Sequence, residues 1–305
     1  MSSFTNRAFG AVVVKSINSN FNADFTKSPR TLPDGTIYAT DKALKYTIKD
    51  QFKKLYPDQK VFYFKSFNED LQPRTLDESY TNLFGDFPTA NKKGKKGTEG
   101  EDVVKIDVLN NLFECLDVRL FGATFAGKTN ISIHGALQIN HGVNRFGKNE
   151  IYTEDILSPF RNSNEKSADS QMSTKGTQTN VQEAHYVYHL SLNPYNHSVY
   201  GKGNVITLDD IDKLKLALRS SVTMLDSSRK IGSENEAFLW VQLKNGSFKV
   251  LPSFTELITI KKEDNVILDL AQVTKVLNEV SEDIEIAEFY YNPVGTEIRG
   301  YEGGN

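Results

Sequence analysis

From Arg161 to Asn180 the chain runs for twenty residues through Ser, Asn, Gln, Thr, Lys and acidic side chains, with Met172 as the only large apolar residue. A stretch with so little to bury cannot offset the entropy of ordering it by packing. Loops of that length inside a compact domain are commonly functional or disordered. Strand signals stand on both sides. Ile131-Ser132-Ile133-His134-Gly135-Ala136-Leu137-Gln138-Ile139-Asn140 alternates, and His185-Tyr186-Val187-Tyr188-His189-Leu190 is rich in aromatic and β-branched residues. Any fold must therefore carry a long hydrophilic excursion between two good strands.

The remaining elements follow from periodicity. Ala8–Val14 is a continuous apolar run and reads as a buried strand, followed by a polar loop from Lys15 to Asn20 and a Pro33-Asp34-Gly35 turn. Thr40 caps a helix from Asp41 to about Leu55, with Leu44, Ile48, Phe52 and Leu55 facing the core. Lys42, Lys45, Lys49 and Lys53 form a second stripe on that helix, a spacing that also suits a plain solvated face. Val61–Phe67 reads as a strand and Val108–Leu120 as a helix. Thr207, with Asp210 three residues on, opens a helix whose buried face is Ile211, Leu214, Leu218, Val222 and Leu225. Phe238–Leu243, Asn245-Gly246 and Ser247–Leu251 give a hairpin signal. A helix around Leu268–Val280 and a strand near Ile284–Tyr291 close the chain. Strand, helix, strands, helix, strands with long insertions imply an α+β sheet with helices on one face, as in ferredoxin-like and RNA-recognition folds. The aromatic signature of an ordinary RNA-recognition motif is missing.

Composition excludes several classes. The 305 residues suffice for one large domain with insertions or for two domains. A lone cysteine, Cys115, in an apolar setting excludes a disulfide framework and reads as a buried inert thiol in a reducing compartment. No run approaches the roughly 18 apolar residues of a membrane span, so the expectation is a soluble, cytoplasmic protein with no membrane partner. The net charge of −3 argues against a generic nucleic-acid binder, but its distribution is uneven. Residues 1–60 carry ten Lys/Arg against five Asp, and residues 261–305 carry four against ten acids. That polarity would let the head of one copy attract the tail of the next while a basic surface stays free for an anion. Asn91-Lys92-Lys93-Gly94-Lys95-Lys96-Gly97 is a flexible basic loop able to touch phosphate or simply to face solvent.

Catalytic patterns are wanting. There is no phosphate-binding Walker loop and no nucleophile elbow. His185 and His189 would share one strand face, yet without the acid of a zincin they read as stacked or hydrogen-bonded strand histidines. Asp24 and Asp34 lie in the loop after the first strand, where a metal-dependent nuclease could use one. Beside Pro and Gly, they are more often turn-formers.

Gly135-Ala136-Leu137-Gln138-Ile139-Asn140-His141-Gly142-Val143-Asn144 and Ser173-Thr174-Lys175-Gly176-Thr177-Gln178-Thr179-Asn180 resemble segments of a known family. Further matches are Gly10–Asn22, the segment from Pro29-Arg30 to Asp41–Tyr46, and Asp117-Val118-Arg119-Leu120-Phe121-Gly122-Ala123. In this order, over roughly residues 7–195, they resemble the guide-RNA-binding backbone subunit of type I CRISPR Cascade complexes, in the RAMP superfamily, nearest to the type I-B subgroup. The C-terminal third resembles that family only in element order.

The resemblance implies a modified ferredoxin-like palm, residues 1–142 and 183–305, with web or finger segments inserted at about 56–105 and a β-hairpin thumb within 143–182. It implies a protein with no catalytic activity and no cofactor or metal. Several copies would line one CRISPR guide RNA, each thumb folding over the RNA of its neighbour and kinking it. The displayed guide segments would pair with target DNA, other Cascade subunits would complete the complex, and a separate helicase-nuclease would cleave. Carried over residue by residue, the RNA contacts are Lys15, Ser16, Asn18 and Asn20 after the first strand, Arg30, and Lys42, Lys45 and Lys49 on the first helix. Gln138, His141 and Asn144 lead into the thumb, and Lys175, Gly176, Thr177, Gln178 and Asn180 lead out of it. Lysines, hydroxyls, amides and glycine N–H groups suit phosphate and sugar rather than base edges, as a protein that accepts any guide requires. Met172 could wedge at a kink. Related type III subunits cut target RNA with a loop aspartate, so the rival expectation is a metal-dependent ribonuclease using Asp24 or Asp34.

Overall fold

The computed structural model describes residues 2–92, 100–157, 175–201 and 205–301. Met172 and residues 93–97 of the basic loop lie outside them. The strands are β1 (Ala8–Ser19), β2 (Tyr38–Ala39), β3 (Thr89–Lys92), β4 (Gly100–Val103), β5 (Gly122–Ala126), β6 (Asn130–His134), β7 (Leu137–Ile139), β8 (Gly142–Asn144), β9 (Ile151–Leu157), β10 (Lys175–Leu192), β11 (Ser233–Leu243), β12 (Thr259–Lys262), β13 (Val266–Asp269), β14 (Ile284–Tyr291) and β15 (Thr296–Arg299). The helices are α1 (Asp41–Leu55), α2 (Leu76–Phe84), α3 (Lys105–Phe113), α4 (Leu116–Phe121), α5 (Leu208–Ser220), α6 (Phe254–Leu257) and α7 (Ala271–Glu279).

The main sheet runs β14-β11-β1-β10-β8-β2, with β7 and β9 also paired to β10, and its ladders are antiparallel. Helix α1 connects β1 to β7 and β8, and α5 connects β10 to β11. This is the βαββαβ order of a ferredoxin-like sheet, with β14 added outside β11. α1 and α5 cover one face through Leu44, Ile48, Phe52, Leu214 and Leu218 against Val12, Val14, Tyr186, Tyr188 and Trp240. The other face is covered as well: Phe9, Ala11, Val13, Val187, Leu239 and Val241 pack on Phe254, Leu268 and Val273 of the C-terminal layer. Strand β1 is buried on both sides, which is why its sequence is continuous rather than alternating. A third cluster, built on Phe62, Tyr80, Val108, Leu112, Phe125 and Ile133, holds the segment inserted between α1 and β7.

Both long helices start where their caps predict. Thr40 accepts the N–H of Ala43, and Thr207 and Asp210 form a reciprocal capping box. Leu55, expected in the core, is instead 42% exposed at the last turn of α1. The polar run after Val14 is not a loop, because β1 continues to Ser19 between β10 and β11. Val61–Phe67 forms no strand. The N–H groups of Phe62 and Tyr63 are taken by the Asp117 carboxylate, both at 2.8 Å, so they are not available to a ladder. The expected 108–120 helix is two helices, and Arg119 binds the carbonyls of Phe113 and Glu114 at the break. The 131–140 strand divides at Gly135, where a Cβ would meet the Phe121 backbone at 2.2 Å. Ser247–Leu251 does not pair with β11, whose two edges already hold β1 and β14. The closing helix begins only at Ala271, because Val266–Asp269 pairs as a strand with β12 and β15.

Candidate nucleic-acid interface

Two clusters of expected contact residues are linked by hydrogen bonds from Asn22 to Thr40. The first is at the base of the β9–β10 hairpin. Asn18, exposed and with φ +48°, accepts a hydrogen bond from the hydroxyl of Tyr152 on β9 at 3.3 Å. Asn20 is buried, and its amide donates to the carbonyls of Thr179 (3.0 Å) and Lys27 (3.1 Å). Ser16 is also buried, within a hydroxyl triad with Ser19 (2.7 Å) and Ser233 (3.0 Å). Lys15 pairs with Glu234 of β11. Asn180 is buried and Gln178 donates to it at 3.3 Å, whereas Thr177 is exposed. Gly176 pairs across to Ile156, and Lys175 to Leu157.

Two cations not expected from the sequence join this cluster. The Arg229 carbonyl accepts the N–H of Asn20 at 2.8 Å. Lys230 donates to the Phe21 carbonyl at 2.5 Å, and burial pulls its pKa down to about 8. The one available signal was an Arg-Lys pair in the loop that returns from α5 to the sheet.

Asn22 connects this base to α1, since its side-chain oxygen accepts from both the N–H (2.8 Å) and the hydroxyl (2.9 Å) of Thr40, the cap of α1. There the second cluster begins, around Asp41. Lys45 donates to Asp41 at 3.0 Å, Lys42 stands 4.0 Å from it, and the imidazole of His141 lies 3.6 Å away. His141 is held against the Tyr38 ring at 5.5 Å. The α1 stripe and the segment leading toward the hairpin, 92 residues apart between Lys49 and His141 in sequence, thus meet at one carboxylate.

Below it is a cavity of about 640 Å³ lined by Lys42, Lys45, Lys49 and Arg74 together with Tyr46 and Phe64. The two rings stack at 5.1 Å, and Tyr46 is 40% exposed. Lys49 does not reach outward. It donates to the Tyr63 carbonyl at 2.6 Å, while Asp117 takes the N–H of the same residue. Burial lowers the pKa of Lys49 and raises that of Asp117, and each charge opposes the shift of the other.

The other expected contacts are more scattered. Gln138 is exposed but donates to the Gly135 carbonyl at 3.0 Å. Asn144 is buried and organises the turn before β9, donating to Lys148 O (2.7 Å) and accepting from the N–H of His185 (2.9 Å). Arg30 lies in the loop before β2 and is half-buried. His185 binds Glu236 at 2.5 Å and His189 stacks on Phe9, so neither is used as a ligand pair. Asp24 accepts from the N–H groups of Thr26 (2.8 Å) and Ser28 (3.0 Å), and Asp34 from that of Thr36 (2.9 Å). Both behave as turn-formers; the Thr26 hydroxyl, which donates to Asp24 at 2.7 Å, and then the backbone N–H groups lower the Asp24 pKa, and the N–H of Thr36 lowers that of Asp34. Among the described residues, no three His, Cys, Asp or Glu side chains are grouped to hold a metal, and no helix is long and apolar enough to cross a membrane.

An antiparallel βαββαβ sheet, with a hairpin growing from a central strand, defines an α+β protein with an RNA-recognition-like core. The family model described as CRISPR-associated protein Cas7 matches residues 6–285, and the chain belongs to that family. A solved structure described as a CRISPR RNA-guided surveillance complex is similar with a TM-score of 0.50 and 13% identity, covering 96% of this chain and 95% of its own. Another, described as a CRISPR RNA-guided surveillance complex, pre-nicking, gives 0.49 and 11%, covering 82% and 81%. At such identity the likeness is one of fold. No curated protein sequence matches the chain.

Proposed function

We propose that the chain holds a guide RNA by its sugar–phosphate backbone, along a line from the hairpin base through Asn18 and Thr40 to the lysines of α1. As a Cas7 protein it is the backbone subunit of a CRISPR RNA-guided surveillance complex. The observation that carries the finer reading is the convergence of Lys42, Lys45 and His141 beside an open cavity. Cations and amides without a built base-edge pattern suit a binder that must accept any guide sequence.

In this reading the hairpin of β9 and β10 is the thumb, within the 143–182 insertion, and the segment from 56 to 105 supplies the web. Copies line the guide one after another. Target DNA pairs with the exposed guide segments, and a separate helicase-nuclease does the cutting. The motif pattern favours subtype I-B, and the setting is cytoplasmic. Lys15, Ser16, Asn18, Asn20, Arg30, Gln138, Asn144, Lys175, Gly176, Thr177, Gln178, Asn180 and Met172 are assigned to the RNA-bound surface or to its support.

The test is to purify the chain with its neighbouring subunits and sequence the bound nucleic acid. Recovery of guide RNA is expected, with retention falling as salt rises, by about 0.7 log units per log unit of salt for each phosphate contacted. Nucleic-acid-free protein overturns the reading. Incubation with complementary RNA and magnesium should leave that RNA whole. Cleavage at regular spacing, lost on Asp24→Ala or Asp34→Ala, would make the chain a ribonuclease instead.

A further inference from the structure

Asp41 was not among the expected contact residues, yet three of them converge on it. Its carboxylate is only 17% exposed, and it holds the ammonium of Lys45, itself 16% exposed, 5.5 Å from the Phe121 ring at the cavity wall. Lys42 and His141 approach the other oxygen from opposite segments. One negative charge thus occupies the place where a phosphate oxygen would sit if these groups bound a nucleic-acid backbone. Asp41 also lies in the first turn of α1, where an anion is favoured by the helix dipole. The position is therefore one at which the fold itself supplies an anion.

We propose that Asp41 is a built-in counter-ion that competes with RNA phosphate for Lys45, and that it sets both the affinity of the interface and its preference for polyanions. This rests on the reading of α1 as part of the RNA interface. An intramolecular carboxylate has a high effective concentration at its lysine. A free phosphate ion at ordinary concentration does not displace it. A chain whose other phosphates are already held nearby does, because its local concentration is equally raised. Asp41 therefore weakens binding of every anion but excludes small ones more than RNA.

The experiment uses the full chain, a fluorescently labelled single-stranded guide RNA and anisotropy titrations across a salt series. Asp41→Asn should tighten RNA binding about three- to tenfold at low salt, as expected for freeing a partly buried cation near other charges. Its salt slope should match the wild type, because bound RNA places a phosphate on Lys45 in both proteins. Inorganic phosphate, nearly inert as a competitor with the wild type, should displace RNA from the variant at lower concentration. Asp50→Asn, on the same helix but paired with Lys54 at 2.7 Å and away from the cavity, should change none of these. In a Lys45→Ala background the Asp41→Asn effect should vanish.

Unchanged or weaker binding by Asp41→Asn, with helix content intact by circular dichroism, overturns the proposal. So does an equal gain from Asp50→Asn, or a gain that persists without Lys45. If Lys45→Ala leaves affinity and slope untouched, the reading of α1 as an RNA surface fails and the proposal with it. If Lys45→Ala weakens binding and Asp41→Asn does not tighten it, only the counter-ion role fails.

Discussion

Lys45 and Lys49 sit one helical turn apart on the same stripe, and the structure separates their roles. Lys45 reaches Asp41 at the cavity rim. Lys49 turns inward, where it and Asp117 grip opposite ends of the Tyr63 backbone. Asp117 is 2% exposed, so its charge depends on the two N–H groups it accepts and on Lys49 nearby. Removing one partner of a fully buried pair costs about 3–5 kcal/mol. Lys49 is not fully buried, and with one carbonyl left short of a donor we expect Lys49→Ala to lower the unfolding free energy by about 1–3 kcal/mol. Lys45→Ala loses an i,i+4 pair worth about 0.3–0.5 kcal/mol, an amount close to measurement error. Urea unfolding followed by circular dichroism, paired with RNA anisotropy over a salt series, reads both effects. Lys49→Ala should move the urea midpoint and leave the salt slope of the remaining folded protein unchanged. Lys45→Ala should do the reverse, making the slope shallower by about 0.7. A Lys49→Ala protein with an unmoved midpoint and a shallower slope would place Lys49 on phosphate and refute the argument.

Other outcomes follow from single sites. His197 is fully buried, and burial, helped by the charge of Arg119, pushes its pKa down to about 4. The folded state therefore resists protonation that the unfolded chain accepts, so stability should fall as pH drops from about 6.5 to 4, by up to about 3 kcal/mol. His197→Gln should flatten that part of a urea-midpoint-against-pH curve, and an unchanged curve would remove His197 as its cause. Two glycines of the resemblance should also respond differently. A Cβ at Gly142 would lie 2.3 Å from the ring of the fully buried Tyr188, so Gly142→Ala should cost about 1–3 kcal/mol by overpacking. At Gly176 a Cβ would meet only Ile156 at 3.8 Å, so Gly176→Ala should be neutral or gain up to about 1 kcal/mol in thermal unfolding. If it also weakens RNA retention, the missing side chain there serves an external backbone; equal destabilisation of both variants would contradict the packing argument.

The elements legible in the sequence are those whose cause is local. α1 and α5 carry their own caps and a full 3.6-residue stripe, and β14 matches the Ile284–Tyr291 run. Val61–Phe67 has the composition of a strand, but its N–H groups are claimed by a carboxylate more than fifty residues away. Ser247–Leu251 has a turn before it and no free edge to join, because β14 arrives later in the chain and takes that edge. The site divides the same way. The lysine stripe was visible as a stripe. That Asp41 would gather it to His141, and that Lys49 would point inward, depends on the cavity wall made by α4 and β5. Arg229 and Lys230 escaped notice because a basic pair in a loop has no pattern until Asn20 and Phe21 are folded against it.

The residues that carry the resemblance mostly use their polar atoms within the chain. Asp117 fixes the Phe62–Tyr63 backbone. Arg119 forms a forked pair with Asp210 at 2.6 and 2.9 Å, and so ties α4 to the cap of α5. Asn144, Ser16 and Asn20 are buried among their partners. Fewer of the candidate groups are exposed, among them Asn18, Lys42, His141 and Thr177. That proportion suits a protein that must accept any guide. Without base-edge readout, what such a protein has to specify is the spacing between backbone contacts. Spacing is set by rigid connections: Tyr152 to Asn18, Asn20 to Thr179, Asn22 to Thr40, and Thr40 to the first turn of α1. The links run from 2.8 to 3.3 Å, and all but the Tyr152–Asn18 bond are part-buried, where a hydrogen bond holds geometry better than an exposed ion pair does. If the lysines of α1 hold the guide as proposed, the buried amides and hydroxyls at the hairpin base serve that contact too, because they fix the hairpin against the end of β1.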